Sequence, residues 1–254
     1  HADLVHPRPG AAWFASRLMA LIPIHDDNPR RHVRKPWVTW GIILASVLAF
    51  LWQSGLDREA FRETVFALGV VPLSLIRGVP LPPEIALLAP SLTLVSSLFL
   101  HGGWAHLIGN MLYLLIFGDN VEDSMGHPRF FIFYLLCGAA AGLAHAAMEP
   151  GSTLPVIGAS GAISGVLGAY VLLHPRARVT VLLALWLPWR MRATTLVMIW
   201  FVMQLMAAGC TPAGVGGVAW WAHIGGFLAG LALTPFLKLP DVPLWSQPPR
   251  GPWG

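Results

Sequence analysis

Apolar runs of 15 to 20 residues recur along the chain, separated by short polar, basic or proline-rich segments. A polar stretch from His25 to Pro36 precedes the first run, Trp37 to about Trp52, which has a tryptophan near each end. Further runs cover about Trp104 to Gly118, Phe130 to about Met148, about Ile157 to Leu173, Ala193 to about Ala208, and Val218 to Leu237. Each approaches the roughly 20 apolar residues that a helix needs to cross a bilayer. The pattern predicts an all-α fold: a polytopic membrane helical bundle of six transmembrane helices.

The connections orient the bundle. Arg30, Arg31, Arg34 and Lys35 precede the first run, Arg176 and Arg178 follow the fourth, and Lys238 ends the sixth. Basic residues concentrate on the cytoplasmic side of membrane proteins, so both termini are expected there, in a cell (inner) membrane. Residues 53–100 form a long connection in which 60–71 suit a short amphipathic helix. Pro72, Pro80, Pro82, Pro83 and Pro90 then exclude long helices. Its apolar character suits an element lying in the membrane interface. Asp119 to Asp123 is expected as an acidic turn on the inner side. Residues 179–192, closed by Arg190 and Arg192, are expected as a cytoplasmic hairpin or half-inserted loop. Gly209 to Gly217 reads as a flexible outer loop. The organisation expected is a cytoplasmic segment at 1–36, one six-helix domain at 37–238, and a proline-rich disordered tail at 239–254. Met19 offers a natural start, which would make 1–18 an extension.

Composition sharpens this picture. Of 254 residues, 56% are hydrophobic and 11% charged, against roughly 25% charged in soluble domains. Mean hydropathy is +0.64. The net charge of +4 belongs to basic clusters beside apolar runs, so no nucleic-acid partner is expected. Cys137 and Cys210 have neither metal-binding nor redox spacing.

No soluble domain remains to hold chemistry, so candidates are polar groups within the spans, where they are costly. Ser160 lies in Gly158-Ala159-Ser160-Gly161, near the outer end of the fourth run. Serine is a weak nucleophile without a base, and His223 in the sixth run can supply one. Gly226 and Gly230 share the helical face of His223, while Gly161, Gly165 and Gly168 lie along the fourth run. Small-residue faces let helix backbones approach closely, and glycine-to-glycine packing would bring Ser160 and His223 to one depth. His106 and Asn110, four residues apart, share a face of the second run.

These segments resemble the rhomboid family of intramembrane serine proteases. Its G-x-S-G is matched by Gly158, Ser160 and Gly161, and its A-H-x-x-G-x-x-x-G by Ala222, His223, Gly226 and Gly230. Its H-x-x-x-x-H-x-x-x-N is matched by His101, His106 and Asn110. The resemblance covers about residues 20–238 and is of bacterial type. It implies a serine endopeptidase with Ser160 as nucleophile and His223 as base. His106, Asn110 and the Ser160 N–H would hold the oxyanion, no cofactor would be needed, and no carboxylate would orient the histidine. Substrates would be spans of single-span or polytopic membrane proteins entering from the lipid bilayer past a mobile fifth span. Two departures bear on the pocket: a Trp-Arg pair is absent from 90–100, and Ser164 stands where some members carry an aromatic residue. The competing reading within the family is a catalytically silent protein that escorts membrane clients. A zinc protease is disfavoured by the lack of an H-E-x-x-H pair, and an aspartyl type by the lack of two intramembrane aspartates.

Overall fold

The computed structural model describes residues 22–183, 186–211 and 217–245. Strand β1 (Ile22–Asp26) precedes helix α1 (Trp37–Ser54). The long connection holds α2 (Arg58–Leu68), α3 (Pro72–Arg77) and the short α4 (Thr93–Ser96). Helices α5 (Trp104–Met125), α6 (His127–Met148) and α7 (Ser160–Leu173) follow, then the hairpin β2 (Arg178–Leu183) and β3 (Leu187–Arg192). Helices α8 (Ala193–Cys210) and α9 (Trp220–Leu237) complete the bundle.

The chain is a helical membrane protein. Helices α1, α6, α8 and α9 are each long and apolar enough to span a bilayer. Their outer faces carry exposed Leu44, Leu48, Phe131, Ile132, Val202 and Met206, which water would penalise and lipid would not. Helix α7 differs. At 14 residues it is about 21 Å long, against a hydrocarbon thickness of roughly 30 Å. Every residue from Gly161 to Tyr170 is buried, so α7 is the central post of the bundle.

Glycine sets how closely α7 meets its neighbours. A Cβ added to Gly226 of α9 would sit 2.0 Å from the Gly161 carbonyl oxygen, and one on Gly230 would sit 2.1 Å from that of Gly165. A Cβ on Gly165 would meet Cys137 of α6 at 2.5 Å. Backbone therefore lies on backbone along the α7–α9 seam, with Cys137 and Ala141 of α6 closing its other side.

Three segments differ from the sequence expectations. Residues 119–123 are no turn but part of the last turns of α5, and Glu122 and Asp123 are buried there as acceptors for backbone amides of another segment. The Glu122 carboxylate accepts from Val38 N–H at 3.0 Å, Thr39 N–H at 2.8 Å and Thr39 Oγ1 at 2.7 Å. It thereby satisfies the open N-terminal amides of α1. Asp123 likewise accepts from the backbone of Arg31, His32 and Val33. The hairpin expected at 179–192 forms as β2 and β3, but the N-terminal segment, for which no strand was expected, adds β1 to it, making an antiparallel sheet in the order β1-β2-β3. Val179 and Val181 are fully buried and alternate with Arg178 and Thr180, so the hairpin packs one face inward. The start of the expected disordered tail is docked: Val242 is buried, Leu239 N–H donates to Ser124 O, and Trp245 N–H donates to Leu172 O. Residues 1–21, including Met19, and 246–254 lie outside the described residues.

Candidate active site

The approach to Ser160 is pinned by the long connection. Val70 and Val156 exchange backbone hydrogen bonds of 2.8 and 2.9 Å, and Gly158 N–H donates to Ser97 O at 2.8 Å. Gly158 has φ of +121°, a region that side-chain-bearing residues avoid. A Cβ there would also lie 2.7 Å from the His106 ring. Only glycine turns the chain into α7 while leaving the His106 ring this close. Ser160 then opens α7, where the first helical amides lack intrahelical partners and the helix dipole is positive.

His223 comes from the first turn of α9. Its Nε2 lies 2.8 Å from Ser160 Oγ, within the range for proton transfer from a nucleophile to its base. Its Nδ1 lies 2.7 Å from Gln204 Oε1 of α8. Trp200 and Trp220 flank the imidazole, with ring centroids 6.0 and 6.2 Å away. The aromatic neighbours of the histidine thus come from α8 and the start of α9. Ser164 is buried and donates to Ser160 O at 2.6 Å, bracing the first turn of α7.

His106 and Asn110 both face Gly158 from α5. A Cβ on Gly158 would lie 2.7 Å from His106 Nε2 and 3.7 Å from Asn110 Nδ2. His106 Nδ1 accepts from Gly102 N–H at 3.4 Å, which leaves the ring proton on Nε2, facing Gly158. Asn110 Nδ2 is buried without a partner among the described residues. An unmade buried hydrogen bond costs about 1–3 kcal/mol, so this donor is expected to have an acceptor during function. His101 does not join the site directly. It is fully buried, its backbone N–H donates to Gln53 Oε1 at 3.1 Å, and its ring packs edge-on against His106 at 5.2 Å.

These groups open onto a cavity of about 710 Å³ lined by α5, α6, α7, α8 and α9, among them His106, Asn110, Ser160, Trp200 and His223. His145 of α6 also lines it, buried with Nδ1 unpartnered among the described residues. Helix α8 packs on α9, α7 and β3 but has no substantial seam with α5. Sequence reasoning passed over Gln204 and His145. Each is a polar residue within an apolar run, which was the available signal. Among the described residues, no group of three or more His, Cys, Asp or Glu could hold a metal ion.

The fold and the pocket describe a polytopic protein with a serine–histidine pair inside a helical bundle. Residues 90–239 match the family description "Rhomboid domain", more than half of the chain, and the chain belongs to the rhomboid family. It is 31% identical over 141 residues to RHOMBOID-like protein 5 of Arabidopsis thaliana, covering 55% of this chain and 42% of that protein. It is 29% identical over 157 residues to the mitochondrial RHOMBOID-like protein 6 of the same plant, covering 61% and 46%. With the rhomboid protease GluP of Bacillus subtilis (strain 168) it shares 34% identity over 144 residues, covering 56% of this chain and 26% of that protein. The chain thus spans less than half the length of these relatives.

Proposed function

We propose that the chain is an intramembrane serine endopeptidase acting through a Ser160–His223 dyad on the spans of membrane proteins. The observation that carries this reading is the 2.8 Å contact between Ser160 Oγ and His223 Nε2, both of which line a cavity within the bundle. Ser160 Oγ attacks the scissile carbonyl carbon as His223 Nε2 takes its proton. The oxyanion that forms is held by Asn110 Nδ2, His106 Nε2–H and the Ser160 backbone N–H. His223 then gives the proton to the leaving amine. Water from the cavity loses a proton to His223 Nε2 as its oxygen bonds to the acyl carbon; the bond from that carbon to Ser160 Oγ then breaks, His223 returns the proton to Oγ, and the carboxylic acid product leaves. Preorganised donors of this kind each lower the barrier by about 2.7–4 kcal/mol.

In this reading α5 and α7 complete six spans, and substrates enter between α5 and α8. Both ends of the chain face the cytoplasm. This orientation is supported by the basic residues of the N-terminal segment, the hairpin and the end of α9, which gather at the membrane face opposite Ser160. Arg30 pairs with Asp119 at 3.8 Å and Arg129 with the Lys238 carbonyl at 3.1 Å there.

The test is cleavage of a single-span substrate by purified protein in liposomes. Wild type should cleave, and Ser160→Ala and His223→Ala should each abolish cleavage while the protein stays folded. Chelators should have little effect. Retained cleavage in either variant overturns the mechanism.

A further inference from the structure

We infer that Gln204 is the positioning residue of the dyad, a neutral third member that fixes the tautomer and orientation of His223; this rests on the protease reading above. Gln204 lies within α8, 95% buried. Its side-chain amide has two ends and both are engaged. The Nε2 end donates to Trp200 O, one turn earlier on the same helix, at 3.3 Å. That contact turns the Oε1 end toward His223 Nδ1, 2.7 Å away. A flipped amide would set two oxygens against each other at Trp200, so the amide orientation follows from the chemistry of its surroundings.

The consequence for the imidazole is specific. A carbonyl oxygen only accepts, so Nδ1 must carry the proton, and the lone pair of the neutral ring is then on Nε2. Nε2 is the atom that faces Ser160 Oγ at 2.8 Å. The relay runs from Ser160 O–H to His223 Nε2, and from His223 Nδ1–H to Gln204 Oε1. An orienting amide beside a histidine base performs this job in papain-like proteases, where the carboxylate of serine triads is replaced by asparagine. A neutral orienter also suits this depth, because a buried carboxylate carries a large desolvation cost that an amide avoids. Trp200 and Gln204 are four residues apart and so share a face. Helix α8 therefore supplies both the ring that flanks His223 and the acceptor that orients it. Any displacement of α8 that admits a substrate also moves this acceptor.

The experiment compares Gln204→Met, which keeps length but loses the acceptor, with Gln204→Glu at a pH that keeps the buried carboxyl neutral, so that its carbonyl oxygen still accepts from Nδ1–H and its O–H replaces the amide donor to Trp200 O. Both variants and the wild type are compared in the same lipid and buffer. Cleavage of a single-span substrate gives kcat and KM, and 15N NMR of histidine-labelled protein reads the His223 tautomer. Gln204→Met should lose about 10- to 100-fold in kcat, the worth of a hydrogen bond to a group that becomes charged. Its KM should stay within about twofold, with His223 distributed over both tautomers. Gln204→Glu should recover most of kcat and the single Nδ1–H tautomer. A wild-type kcat in Gln204→Met, or equal loss in both variants, overturns the positioning role. An inactive wild type would overturn the protease reading, and the tautomer populations in Gln204→Met would still decide the role of Gln204.

Discussion

Gly226→Ala is a one-methyl change whose effect can be worked from the packing. The added Cβ would fall 2.0 Å from the Gly161 carbonyl oxygen and 2.9 Å from its carbon. Both are backbone atoms, so no side chain can swing away. Restoring ordinary contact of about 3.4 Å requires α7 and α9 to separate by about 1.4 Å at this level. Overpacking of this kind costs about 1–3 kcal/mol in stability. The catalytic effect should be larger. Gly161 follows Ser160 directly and Gly226 lies one turn from His223, so the same separation stretches the 2.8 Å dyad contact beyond hydrogen-bonding range. Misplacement of reacting groups by about 1 Å can cost 10²-fold. Gly226→Ala is therefore expected to lower kcat about 100-fold or more while the protein still folds. Gly41→Ala, whose Cβ would meet nothing within 4 Å, should leave activity unchanged. The assay is single-span substrate cleavage in liposomes, with detergent titration for stability. A Gly226→Ala protein with wild-type turnover would refute the claim that this seam sets the dyad distance.

Asn110→Ala should lower kcat by about 10²–10³-fold with little change in KM, measured in the same assay, because in the proposed mechanism it removes one oxyanion donor. Glu122→Ala should destabilise the protein by at least about 2 kcal/mol in SDS titration, since it strands the buried Thr39 N–H and the α1 amides it caps. His174 lies just past α7, and burial lowers its pKa from 6.5 to about 4, with Arg31 adding to that and Asp123 opposing it. The unfolded chain binds this proton more tightly, so stability contributed by neutral His174 is complete above pH 6.5 and is lost as pH falls toward 4. Melting curves across that range should flatten by up to one proton in His174→Gln.

The gross fold was legible because lipid demands long apolar helices, and apolar runs are visible one residue at a time. The meeting of Ser160 and His223 was expected from glycine spacing, which reports where backbones approach, whereas His106 and Asn110 were put on one face by their spacing and brought to the site only by the family resemblance. Other features depend on partners far away in sequence. Glu122 and Asp123 looked like a turn because their partners, at 38–39 and 31–33, are more than 80 residues distant. Strand β1 is five residues long, interrupted by Pro23, and pairs with a strand about 155 residues later. Gln204 belongs to no motif and gains meaning only from the turn that places it 2.7 Å from His223. Its presence in an apolar helix was the sole hint, since polar groups are costly there.

The central claim is that His223 activates Ser160. It is tested most directly by exposing the folded protein in liposomes to a fluorophosphonate and mapping the adduct by mass spectrometry. The account predicts a single phosphonyl group on Ser160 in the wild type, with labelling reduced to background in His223→Ala. An unlabelled Ser160 in folded wild-type protein, or undiminished labelling in His223→Ala, would contradict it.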